Sequence, residues 1–215
     1  MRAQGVGRVL VVAGLMGLVV ATASCAARSS GTGGSGTGKA AAGSPSGPQT
    51  PKFADDFGRT CADGIGFAGS PAYTPTAGAV HPAVLLGKYK DRWSEQSASA
   101  EDFPSDWVLT YGNDMAKAEL VVCYERTDAT PVGKTCKMED NKTHQPLTVT
   151  LYNTQYRLRV LEAHTGKALY DKLADAKSTD CPYLAYTSKD DDPTKYYTEA
   201  HPRDYRGAIK PFIAP

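Results

Sequence analysis

The chain has almost no net charge, which removes the electrostatic argument for a nucleic-acid partner. Its 215 residues include 24 Lys and Arg against 23 Asp and Glu. Domains that bind nucleic acid concentrate basic residues on one face or along one helix. This near-neutral mixture has no such excess, and we expect no nucleic-acid partner.

The part of the sequence after residue 52 lacks the short motifs that mark common catalytic and metal sites. It contains no H-E-x-x-H, G-x-S-x-G, S-x-x-K or C-x-x-C, and its Asp190–Asp192 triplet lacks the spacing of a calcium-binding EF-hand. Its four histidines are scattered, which is typical of turn and surface residues: His81, His144, His164 and His201. We expect no catalytic residue, no metal site and no cofactor.

Long apolar runs are also missing, apart from one at the N-terminus. Residues 9–23 are uncharged and follow Arg2 and Arg8, but about 20 apolar residues are needed to span a bilayer. A basic start, a short apolar stretch and small residues at its end are the plan of an export signal. We predict that residues 1–24 are a signal peptide.

Cys25 directly follows the small residues at 21–24, an arrangement that resembles the lipobox of bacterial lipoproteins. The resemblance implies that Cys25 carries a diacylglyceryl group and holds the chain on the outer face of the cell membrane. Thr22 departs from the pattern, which usually has Leu at that place. The alternatives are cleavage after Ala23, which would give a plainly secreted protein, and an uncleaved signal anchor.

Cysteine is scarce, with five in the chain, and the number supports lipidation. If Cys25 carries the lipid, four cysteines remain for the folded part, and an even set in an exported chain can pair completely. Removal of residues 1–24 takes away Arg2 and Arg8 and no acid. The mature balance becomes 22 basic against 23 acidic residues.

Residues 25–52 form a second region, consisting almost entirely of Ala, Gly, Ser, Thr and Pro. Such a segment cannot bury enough apolar surface to offset its ordering entropy. We predict a disordered tether with a reach of roughly 25–30 Å. From residue 53 to residue 215 the composition is that of a single globular domain.

The residue pattern of the domain predicts mostly β-strands. Short apolar or β-favouring runs predict strands at 83–86, 107–111, 120–124, 131–138 and 168–173. Residues 147–160 alternate apolar and polar side chains, but the apolar set changes parity near Asn153. This predicts either one long, kinked strand, which we favour, or a hairpin.

A short helix is predicted from Pro202, because Tyr205, Ile209 and Phe212 recur at helical spacing. The fold class that follows is mainly β: a β-sandwich or a strongly twisted antiparallel sheet with a short C-terminal helix.

Two disulfides are expected among Cys61, Cys123, Cys136 and Cys181. Since 120–124 and 131–138 read as neighbouring strands, we predict a Cys123–Cys136 bridge and hence a Cys61–Cys181 bridge. The loop-entropy relation assigns roughly 3 kcal/mol to the shorter bridge and 4–5 kcal/mol to the longer one. A redox pair or a zinc site is disfavoured by the spacing.

A set of short motifs resembles a bacterial domain of unknown function found in exported proteins, notably actinobacterial lipoproteins. Their order carries the resemblance over about residues 61–215: Cys61, 72–75, 81–84, 122–123, Cys136, 161–167, 181–182 and the closing helix. The resemblance implies a compartment and a class of domain. It implies no activity and no site residue.

Two classes of function remain. We favour a non-catalytic domain that binds a partner or ligand in the cell envelope. The alternative is an extracellular hydrolase whose site is assembled from scattered residues. Tyrosines gather late in the chain, at Tyr183, Tyr186, Tyr196, Tyr197 and Tyr205. They favour core packing and, less strongly, a binding surface.

Overall fold

The computed structural model describes residues 49–140, 143–183, 185 and 191–215. The predicted signal peptide, Cys25 and the tether up to residue 48 lie outside these ranges. The strands are β1 (Ala83–Tyr89), β2 (Arg92–Glu95), β3 (Leu120–Glu139), β4 (Pro146–Glu162), β5 (Ala168–Ala176) and β6 (Lys195–Tyr197). The helices are α1 (Gly58–Asp63) and α2 (Pro202–Ile213), with 3₁₀ turns at Ala54–Phe57 and Met115–Lys117.

The strands form one mixed sheet with the order β2-β1-β3-β4-β5, and β6 pairs with the remaining part of β4. The mainly β fold with a short C-terminal helix and two disulfides is thereby confirmed. The β1–β3 and β4–β6 pairs are parallel, whereas the others are antiparallel. The parallel β1–β3 pair arises because the connection between β2 and β3 carries the chain back past the start of β1.

The centre of the sheet is one long antiparallel pair, β3 and β4. The prediction of a single long strand over 147–160 is confirmed by β4. The prediction that 120–124 and 131–138 are separate, neighbouring strands is wrong, because both lie within β3. The register of β3 against β4 shifts between Arg126 and Asp128 and again between Pro131 and Thr135, so the irregularity lies in the strand facing Asn153.

The disulfide pairing differs from the prediction. The bridges are Cys61–Cys123 and Cys136–Cys181. Cys123 and Cys136 lie 13 residues apart on β3, a separation of about 40 Å in an extended strand. Two α-carbons joined by a disulfide lie within about 7 Å of each other, so these two cysteines cannot bridge.

Both faces of the sheet are covered where β1 and the first residues of β3 lie. Leu120 and Val122 of β3 face a cluster that includes α2, whereas Val121 and Cys123 face a cluster that includes α1. The α2 cluster contains Phe103, Trp107, Tyr156, Leu158, Tyr205, Ile209 and Ile213 among others. The α1 cluster contains Phe57, Cys61, Phe67, Trp93, Met115 and Leu161 among others. The continuous apolar run at 120–123 is therefore buried on both faces, as its composition predicts.

The C-terminal helix begins at Pro202 as predicted, and Tyr205, Ile209 and Ile213 form its buried side. Phe212 is only partly buried. Residues 107–111, predicted as a strand, do not form one: Val108 makes a single bridge to Ala83. The aromatic composition of this segment reflects burial of Trp107 in the α2 cluster.

Residues 49–52, placed at the end of the tether by composition, contact the folded domain. Pro51 is buried, and the Gln49 carbonyl accepts a hydrogen bond from the Gly69 amide at 3.1 Å. Within the described part of the chain, no helix is long and apolar enough to cross a membrane.

Candidate functional site

A pocket rich in tyrosine, here called the tyrosine pocket, opens where β1 ends beside β3. It has a volume of about 480 Å³. Its lining comes from the end of β1, from the first half of β3 and from the segment around β6: Lys88, Tyr89, Lys90, Tyr124, Glu125, Arg126, Ala185, Asp191, Asp192, Lys195, Tyr196, Tyr197 and Glu199. Three distant stretches of sequence thus meet at one site.

The strand register explains why these stretches meet. β1 runs parallel to β3 as far as Lys88, which lies beside Glu125. Beyond that point β1 turns through Lys90, whose φ of 55° suits a tight turn, and pairs with β2. β3 continues without β1 beside it. Arg126 is therefore at a position that β1 no longer covers.

Tyr124 anchors the inner wall. Its ring lies 5.0 Å from that of Tyr156 and is stacked at 6.2 Å on that of Tyr205, a residue of the α2 cluster. Its hydroxyl accepts a hydrogen bond of 3.4 Å from the Ala200 amide. Burial raises the pKa of the Tyr124 phenol, so the hydroxyl stays protonated near neutral pH.

Arg126 lies over the ring of Tyr197, with its guanidinium carbon 3.9 Å from the ring centroid. The Tyr197 ring also contacts the ring of Tyr152 in β4, with 5.2 Å between the ring centroids. A guanidinium over a tyrosine face is attracted by the ring quadrupole and keeps its N–H groups available at the edge. The arrangement holds Arg126 in place and leaves its donors available.

Three of the four cations of the pocket have carboxylate partners. Lys88 lies 3.3 Å from Glu125, and Lys195 lies 3.2 Å from Asp192. Lys90 lies 3.9 Å from Asp191, which also accepts a 2.5 Å hydrogen bond from the Tyr89 hydroxyl. Hydrogen bonds from Thr194 and then Lys195 hold the pKa of the Asp192 carboxyl below its usual value, so Asp192 stays ionised.

A second pocket, here called the amino-terminal pocket, lies near the start of the domain. Its volume is about 670 Å³, and Phe53 and Tyr111 expose 65% and 91% of their surface at its rim. Its carboxylates bind backbone amides: Asp56 accepts from Phe53, Asp55 from Glu95, and Glu95 from Tyr111. These acids fix the local chain path.

The Ser–His arrangement of a common hydrolase does not occur among the described residues that line the two pockets. His81 is 5% exposed and lies 2.7 Å from Glu119, with its ring edge-on to Tyr73. Among the described residues, the lining of neither pocket includes a histidine or a serine. His164 donates to the Ser70 carbonyl at 2.8 Å, which is a structural contact that fixes the turn after β4.

The candidates from the sequence are distributed as follows. Asp191 and Asp192 lie at the tyrosine pocket and pair with lysines, whereas Asp190 lies outside the described residues. In the described ranges, no group of three His, Cys, Asp or Glu residues could hold a metal ion. Of the late tyrosines, Tyr196 and Tyr197 line the pocket and Tyr205 is core.

Tyr183 is fully exposed, and Tyr186 lies outside the described ranges. The sequence missed Tyr124 and Arg126 as site residues. Tyr124 and Arg126 are two residues apart in β3 and therefore lie on the same side of the strand, a pattern that could have identified them. β6 has only three residues, which is too short to show such a pattern.

Comparison with known proteins gives no family for this chain: no protein-family model matches it, and neither a curated protein nor a solved structure shows significant similarity.

Proposed function

We propose that this protein is a lipoprotein on the outer face of the bacterial cell membrane, whose domain binds a ligand or partner of the cell envelope without catalysis. The observation that carries the binding role is the tyrosine pocket. Aromatic rings, paired charges and hydrogen-bond donors line this pocket. Its volume suits a small ligand or one end of a larger one.

The chemistry of the pocket supports binding. Tyrosine supplies contact area at low conformational cost, and its hydroxyl adds a hydrogen-bonding group. The cation–carboxylate pairs hold the wall in shape. The described part of the lining contains no cysteine, serine or histidine that could act as a nucleophile or as the usual general base.

The export signal, Cys25 and the tether support the location, and the order of short motifs supports membership of the exported bacterial domain family that the sequence resembles. A lipid at Cys25 would leave the domain on a flexible segment beyond the membrane surface. Ligands outside the membrane would then reach the tyrosine pocket directly.

Ligand-observed NMR tests the binding role. Mixtures of envelope-derived peptides, glycans and lipid headgroups are screened against the purified protein, against Tyr196→Ala and against Tyr183→Ala. Tyr196 lines the pocket, whereas Tyr183 is exposed and does not. We expect at least one ligand whose binding weakens about tenfold in Tyr196→Ala and is unchanged in Tyr183→Ala.

Circular dichroism melts of the three proteins show whether Tyr196→Ala is folded. Ligands that bind all three proteins equally would contradict a role for the pocket. Turnover of a ligand into products would instead favour the extracellular hydrolase.

A further inference from the structure

Two opposite charges in the tyrosine pocket are left without ion pairs. Arg126 contacts the Tyr197 ring, and no carboxylate of the described residues lies within ion-pair distance of it. Glu199 likewise makes no ion pair within the described ranges. The other described cations of the pocket, by contrast, each have a carboxylate partner.

From this pattern we infer that the tyrosine pocket binds a small zwitterion, or the zwitterionic end of a larger molecule. The inference rests on the proposed binding function and names its ligand class. The anionic group of the ligand, a carboxylate or a phosphate, pairs with Arg126. Its ammonium group lies at Glu199 and the neighbouring tyrosine rings.

Arg126 suits the anionic end. A guanidinium presents its N–H donors in a planar fork that matches the two oxygens of a carboxylate or phosphate. Contact with the Tyr197 ring restricts the guanidinium before the ligand arrives. Less side-chain entropy then remains to be lost on binding.

Glu199 suits the cationic end, because it lines the same pocket as Tyr124 and Tyr196. Its charge contributes to raising the pKa of both Tyr124 and Tyr196, after the larger effect of burial. A carboxylate and tyrosine rings that line one pocket can together recognise an ammonium group, through ion pairing and cation–π attraction. The Ala200 amide, next to Glu199, donates to the Tyr124 hydroxyl and joins this segment to the wall.

The unpaired charges of Arg126 and Glu199 favour a zwitterion over other ligand classes. An apolar ligand would desolvate Arg126 and Glu199 without compensation, which is costly. A simple anion would satisfy Arg126 alone and meet repulsion from Glu199. A zwitterion satisfies both, and two sources share this chemistry: amino acids or peptides, with a carboxylate, and ethanolamine-type lipid headgroups, with a phosphate.

Three probes of matched chain length test the inference: 6-aminohexanoate, hexanoate and hexylammonium. Affinities are measured by two-dimensional NMR titration of the purified protein, followed at the Arg126 side-chain and Tyr197 signals. We expect 6-aminohexanoate to bind at least about tenfold more tightly than either singly charged probe. O-phosphoethanolamine, titrated in the same way, distinguishes the phosphate source from the carboxylate source.

Two variants, each of which removes one charge from the pocket, show which residue binds which end of the ligand. Arg126→Gln should lower the affinity for 6-aminohexanoate to that for hexylammonium and leave hexylammonium unchanged. Glu199→Gln should lower the affinity for 6-aminohexanoate to that for hexanoate and leave the affinity for hexanoate unchanged. Lys137→Gln, on the same strand as Arg126 but outside the pocket, is the matched control and should change none of the three.

The inference is overturned if the zwitterions bind no better than the singly charged probes, or if both variants weaken every probe equally. A neutral ligand that depends on Tyr196 but not on Arg126 would also overturn it, while leaving the proposed binding function intact. The absence of any ligand dependent on Tyr196 would count against the proposed function itself.

Discussion

At the scale of single residues, Gly166 shows how closely the chain packs at the turn between β4 and β5. It has a φ of +77°, and a β-carbon there would lie 2.0 Å from the Gly64 carbonyl oxygen. Gly64, at the end of α1, also has a positive φ. Two glycines on distant segments therefore let backbone approach backbone.

Gly166→Ala should destabilise the fold by about 3 kcal/mol or more, because the left-handed backbone costs about 1–2 kcal/mol and the clash adds to it. Gly133→Ala is the control, since Gly133 has a φ of +79° and open space around it. Gly133→Ala should lose only the stability that the left-handed backbone costs, about 1–2 kcal/mol. Urea unfolding measures both variants, and equal losses would show that the contact with Gly64 is unimportant.

The residue scale also separates the roles of the tyrosines. Tyr205 lies deep in the α2 cluster, and burial raises its pKa far above the usual value. Tyr124 lies between that core and the pocket, through its ring contacts with Tyr156 and Tyr205. One patch of aromatic rings thus belongs to the core on one side and lines the tyrosine pocket on the other.

At the scale of elements, the two disulfides connect pieces that the strand pairing alone does not hold. Cys61–Cys123 joins α1 to the buried half of β3, and Cys136–Cys181 joins the other end of β3 to the segment after β5. Their sequence separations are 62 and 45 residues. Loop entropy alone assigns about 4 kcal/mol to each bridge.

Peptide mapping without reduction should recover the Cys61–Cys123 and Cys136–Cys181 linkages. Replacing Cys136 and Cys181 together by Ser should lower the free energy of unfolding by about 4 kcal/mol, as measured with urea, and leave Cys61–Cys123 intact. Recovery of a Cys123–Cys136 peptide would contradict the continuous β3 strand, since one strand cannot bring these residues together.

Elements also show which sequence patterns are reliable. The buried run at 120–123, the alternation in β4 and the spacing in α2 each specify an element through contacts local to it. Residues 107–111 and 131–138 show the converse. Their composition favours strands, but whether a segment pairs, and with which neighbour, depends on residues far away in sequence.

At the scale of the whole molecule, the proposed anchor makes a prediction about the mature chain. The intact mass of the native protein from a membrane fraction should correspond to a chain that starts at Cys25 and carries a diacylglyceryl group. Reduction should add four hydrogens, because the bridges Cys61–Cys123 and Cys136–Cys181 open.

A chain that starts at Ser24 without lipid would contradict the anchor and leave Cys25 as a free thiol. The protein would then be plainly secreted. Replacement of Cys25 by Ala is the control, because it should shift the protein from the membrane fraction to the soluble fraction without changing the disulfides.

The sequence by itself determined a mainly β domain with a C-terminal helix, and it predicts an export signal with Cys25 and a tether of small residues. These depend on local pattern, which each segment carries in its own residues. Tertiary structure decided which strands are parallel, which cysteines pair and where Tyr124, Arg126, Tyr197 and Glu199 meet. The physical reason is that pairing and pocket formation depend on contacts between residues far apart in the chain, and no local period records them.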